Sequence, residues 1–131
     1  MRYAAESSLA AIYIASGNLS SIDLFAKSVA PTPVVTKFTL LSGDDLMLLQ
    51  SLTWDQQGQV DYLVLQKASQ FLGITDSSFS WGVAAGRHAL STGGTCGKSQ
   101  KLDKDISFKD DLTVIIGGKN KLDFNTQWFW P

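Results

Sequence analysis

One cysteine and one histidine in 131 residues leave no material for an intrachain disulfide or for a Cys/His cage around zinc. An excess of charge is equally lacking. Eleven Lys and Arg stand against twelve Asp and Glu, a formal net charge of -1, which excludes a broadly basic surface for nucleic acid or acidic membranes while leaving room for a local patch. No apolar run approaches the ~20 residues that cross a bilayer, and there is no internal repeat, low-complexity tract or long linker. What the chain does have is apolar content, 44% of residues, at a length that buries roughly two thirds of the unfolded surface. A single globular domain spanning 1–131 is therefore expected, needing neither metal nor cofactor to fold.

The N-terminal run Leu9 to Ala15 (LAAIYIA) is short for a secretory signal, and Glu6 interrupts the stretch that should be positive. An amphipathic helix over 2–16, ended by Gly17, is the expectation. The triplet Asn18-Leu19-Ser20 fits a glycosylation sequon but carries no weight, and the cytoplasm is a default location only.

Asn18 is placed to cap a second helix carrying Leu19, Ile22, Leu24, Phe25 and Val29, stopped by Pro31 and Pro33. The β-branched and aromatic residues of 34–41 suggest a strand. Ser42 followed by Asp44 and Asp45 reads as a helix start, and Thr53 with Gln56 as a capping box opening a further helix that runs through Phe71 and closes at Gly73. Asp76 is placed to cap another, from Ser77 towards Leu90. The last quarter reads as β-structure: Leu112 to Ile116, a Gly117-Gly118-Lys119-Asn120 turn, then Lys121 to Trp130, with Leu122, Phe124, Thr126, Trp128 and Trp130 on one face. Ile106 to Phe108 is a candidate partner strand. The fold class expected is α+β, four to five short helices packed on a small antiparallel sheet that includes the C-terminal hairpin.

Chemistry-bearing patterns are sparse. Residues 92–99 end in Gly-Lys-Ser and resemble a phosphate-binding loop, but Thr92 stands where the pattern needs a glycine and the flanking elements are wrong; a connector explains the same glycines. Cys96, two residues from Lys98, has His88 as a nominal base and no third partner, so an incidental thiol is the plainer reading. His88 is expected on a solvated helix face beside Arg87. Asp44-Asp45 reads as capping, and Asp110-Asp111 as a turn before a strand or an edge that resists aggregation.

In residues 66–85 (QKASQFLGITDSSFSWGVAA), Ala68, Ser69, Leu72, Gly73, Ile74 and Phe79 fall where a helix-turn-helix packs its two helices, and the stretch resembles that motif. The resemblance implies a winged-helix nucleic-acid binder with the 112–130 hairpin as wing. Its recognition helix would begin with Ser77, Ser78, Phe79, Ser80 and Trp81, poor equipment for phosphates and base edges. Residues 1–66 hold three basic and six acidic side chains against eight and six in 67–131, and Lys119 and Lys121 lie at the turn of the expected hairpin. Trp128, Phe129 and Trp130 offer aromatic surface for packing or for a protein interface.

No group of residues converges on a reaction. The expected function is a non-enzymatic protein-interaction or assembly module without a cofactor, its partner another protein or a second copy, and its binding residues Trp128, Phe129, Trp130, Lys119 and Lys121. The alternative is nucleic-acid binding by a winged helix.

Overall fold

The computed structural model describes residues 9–90 and 105–117, and every structural statement below concerns those residues. They form five helices and two small sheets, an α+β fold. The chain divides into two compact units, 1–61 and 62–131, the division falling within one helix after Asp61.

In the first unit, β1 (Ile12–Tyr13) pairs in parallel with β2 (Val34–Val35). The helix expected over 2–16 is absent from residues 9–16. Ile12, Tyr13 and Ile14 prefer extended backbone, and the Ile12 and Ile14 N–H groups donate to Pro33 O and Val35 O. Between these strands lies α1 (Leu19–Ser28), capped as expected by Asn18, whose Oδ1 accepts the Ser21 N–H at 3.0 Å.

The strand expected over 34–41 stops after Val35. Thr36 and Thr39 have the β-branching of strand residues, yet their hydroxyls form a reciprocal capping box that starts the single turn α2 (Lys37–Leu40). Next comes α3 (Gly43–Ser51), with Asp44 and Asp45 in its first turn as read. Ser42 makes no side-chain cap bond, and Gly43 takes the left-handed φ of 57°, which breaks the regular geometry that such a bond needs. The last helix to begin in this unit is α4 (Trp54–Lys67), where Gln56 Oε1 accepts the Thr53 N–H at 2.9 Å, one half of the expected box.

The second unit is built on a three-stranded sheet in the order β3 (Phe71–Ile74), β5 (Thr113–Ile116), β4 (Ile106–Lys109). The expected strand at 106–108 is present and pairs antiparallel with β5, with a register irregularity between Ile106 and Phe108. The sheet is nonetheless mixed, because β3 runs parallel to β5. Residues 71–74, read as a helix end, are that unforeseen strand, and α5 (Ser78–Leu90) is part of the crossover that a parallel pair requires. Ser77, rather than Asp76, caps α5 by accepting the Ser80 N–H. The antiparallel partner of β5 lies upstream and β3 takes its other edge, so the hairpin containing β5 is the β4–β5 pair. The expected strand 121–130 lies outside the described residues.

The core here is Leu65, Phe71, Val83, Ala84, Ile106 and Ile115. Gly73 is required at the centre of β3, since a Cβ there would stand 2.6 Å from Ile115 Cδ1 and 2.8 Å from Ser80 Cβ.

Candidate functional site

Arg87 is the most heavily bonded side chain of the second unit and 2% exposed, not the solvated residue expected. Its Nη1 donates to Leu65 O, Gln66 O and Ala68 O at 2.9, 3.1 and 2.7 Å, its Nη2 to Leu112 O at 2.9 Å, and its Nε to Thr113 Oγ1 at 3.2 Å. Leu65 O and Gln66 O belong to the last turn of α4 and Ala68 O follows it, at the negative pole of the helix dipole; Leu65 O also accepts the Ala68 N–H at 3.4 Å. Burial pushes the guanidinium's pKa down, while the charge of Asp110 opposes that shift. This arrangement satisfies a helix end and joins it to the start of β5. α4 stops at Lys67, and Phe71 is instead paired with β5, its N–H donating to Leu112 O at 2.9 Å.

His88, one residue on, is half-buried against the β4–β5 turn instead of solvated. Its Nδ1 lies 3.2 Å from Asp110 Oδ2 and its ring meets Phe108 edge to face. Asp110 Oδ1 accepts the Leu112 N–H at 2.9 Å, so the carboxylate shapes the turn, as read from sequence, while holding the imidazole. A histidine oriented by an aspartate is two thirds of a nucleophile-activating set. Among the described residues the ring meets Asp110 and Phe108, neither of which is a nucleophile that it could activate.

The first unit has its own polar cluster. Asp61, 7% exposed, accepts from Tyr13 Oη at 2.6 Å and from Lys37 Nζ at 2.6 Å, and Lys37 also donates to Gln57 O at 3.4 Å. Burial raises the Tyr13 pKa well above its ordinary value, reinforced by the hydrogen bond to Asp61 and then by that carboxylate's charge. A phenol held neutral and a carboxylate with both oxygens occupied are suited to fixing β1 and α2 onto α4. They are poorly suited to exchanging protons with a substrate.

The surface also carries large apolar side chains. In the first unit Met47 and Leu48 on α3 are each 63% exposed, and Trp54 at the start of α4 is 87% exposed. The sequence contained a signal for this: Leu46 to Leu49 are four consecutive apolar residues on a helix, which spread around most of its circumference and cannot all face one core. Leu49 is buried, and Met47 and Leu48 face out.

Of the residues expected to bind, Trp128, Phe129, Trp130, Lys119 and Lys121 lie outside the described residues, as do Cys96, Lys98 and the glycine loop around them. The helix-turn-helix that residues 66–85 resemble is not formed, nor are two helices joined by a turn at Gly73. β3 occupies the place of its turn, and Gly73 sits inside a strand. Among the described residues no three or more His, Cys, Asp or Glu side chains gather as a metal site would require, and no helix is long and apolar enough to cross a membrane. Comparison with protein-family models, curated proteins and solved structures finds no match to this chain.

Proposed function

We propose that the chain is a non-enzymatic protein-interaction or assembly module. The observation that carries this reading is the exposed trio Met47, Leu48 and Trp54, within eight positions of one another and in one compact unit. A tryptophan left almost wholly in water has unused contact area of the kind that anchors protein interfaces. The polar clusters support the same reading, because their hydrogen-bonding capacity is turned inward to hold helix ends and turns.

Self-association is the form to test. Solution mass by light scattering over a concentration series is expected to rise above that of one chain, and Trp54→Ala combined with Met47→Ser should hold it at one chain with an unchanged thermal midpoint. The mass of a single chain at every concentration in both proteins overturns the reading.

A further inference from the structure

From Phe38 to Gln66 the chain has no Lys, Arg or His, and it has four aspartates. Lys37, just upstream, takes up Asp61 at 2.6 Å. The other three, Asp44, Asp45 and Asp55, are exposed, and among the described residues no cation pairs with them. These carboxylates flank the Met47, Leu48 and Trp54 surface, all within the first unit. On α3, at about 100° per residue, Asp44, Met47, Leu48 and Ser51 fall on one face, turned away from the buried Leu49. Asp45 lies one turn before Leu48, on the flank of that face. Trp54 follows Ser51 by three positions, within about 11 Å even over extended chain, and Asp55 is next to it at the start of α4.

Such a face selects among occupants by charge. The three carboxylates repel acidic headgroups and nucleic acid. A second copy set about a two-fold axis brings the same carboxylates to its own side of the contact, so that like charges gather there. A cation meets the reverse. It finds three carboxylates and, beside Asp55, an indole that is 87% exposed and whose ring face attracts ammonium and guanidinium groups. Met47 adds an unbranched thioether chain that adapts to apolar neighbours of different shape. One short segment bearing apolar side chains and cations together would engage all of these groups at once.

We propose that this face of the first unit receives a cationic amphipathic segment of another protein, its apolar side chains set on Met47, Leu48 and Trp54 and its cations on Asp44, Asp45 and Asp55. The proposal rests on the interface reading of the same trio and adds a ranking: the cationic segment binds more tightly than a second copy and displaces it.

The probe is a short, dye-labelled, helix-forming peptide of leucine and lysine, with a leucine and glutamate peptide as its control. Anisotropy titration with the full chain is expected to show saturable binding of the lysine peptide and none of the glutamate peptide. Asp44→Asn, Asp45→Asn and Asp55→Asn together should weaken binding about tenfold, as should Trp54→Ala with Met47→Ser. Asp76→Asn, Asp105→Asn and Asp111→Asn, at three exposed aspartates of the second unit, should change it less than about twofold. Raising salt from about 50 to about 500 mM should also weaken binding to the native chain about tenfold, which reads the charge contribution without any substitution. Equal binding of the two peptides, equal losses from the two sets of Asn substitutions, or no binding of the lysine peptide each overturns the proposal. Light scattering separates it from self-association, because the lysine peptide should return the mass to one chain with its peptide. A mass that rises with concentration and is unmoved by the peptide keeps the assembly reading and overturns the cationic segment. Saturable, salt-sensitive binding by a chain that stays single at every concentration does the reverse.

Discussion

Arg87 illustrates how a single side chain can join the end of one element to the start of another. Its guanidinium is surrounded by carbonyls and one hydroxyl, and its charge is countered by a helix dipole and, at longer range, by Asp110. Arg87→Met keeps much of the apolar stem and removes a donor from five acceptors, of which Leu65 O and Leu112 O keep a backbone N–H from Ala68 and Phe71. A loss of about 3 kcal/mol in urea unfolding is expected, with Arg87→Lys recovering only part, since an ammonium lacks the planar fork. At Tyr13 the expected effect depends on pH. The hydroxyl stays protonated when folded at a pH where the unfolded chain has already lost its proton, so its contribution is complete below about pH 10 and declines as pH rises beyond it. Urea midpoints of the native chain and Tyr13→Phe should differ at pH 8 and converge above pH 10. A constant difference would remove the Tyr13–Asp61 bond from the account.

At the scale of elements, what was legible in the sequence was what local chemistry decides. Asn18, Thr53 with Gln56, and the acidic first turn of α3 mark helix starts because capping depends on neighbours a few residues away. The strands 106–109 and 113–116 were legible from their β-branched and aromatic content. Residues 71–74 were not. FLGI continues the apolar spacing of α4, and only contact with β5, far along the chain, makes it a strand. Thr36 and Thr39 misled in the opposite sense, their branching suggesting a strand where their hydroxyls start a helix. The candidate site was the least legible. The expected aromatic and lysine residues lie outside the described region, whereas Trp54 is prominent through exposure, a property of packing that no local pattern states. Gly73→Ala tests the β3–β5 pairing directly. Its methyl group has no room against Ile115 and Ser80, and a loss of about 1–3 kcal/mol in chemical unfolding is expected. No loss would mean that the two strands separate more easily than their register implies.

For the whole molecule, the two compact units each bring their own buried set, Ile22 and Leu49 in one and the Ile115 cluster in the other. In each, a polar network pins elements together: Asp61 with Tyr13 and Lys37, and Arg87 with the end of α4 and the start of β5. Beyond those cores, Met47, Leu48 and Trp54 in one unit and Leu72 and Ile74 in the other leave apolar surface exposed. The mass measurement belongs at this scale, because it asks whether one chain is the functional unit or a part of one.

The central position of β5 has a consequence for how the chain reaches this state. Its antiparallel neighbour β4 is joined to it by a turn of three residues, whereas its parallel neighbour β3 lies about forty positions away. Closing the short turn costs little entropy and closing the long crossover costs more, so the hairpin has the means to assemble first and β3 to dock onto it late. A contact made after the folding barrier holds the native chain shut without hastening its formation. The stability lost in Gly73→Ala should therefore appear mainly as faster unfolding in a chevron plot, with the refolding limb close to that of the native chain.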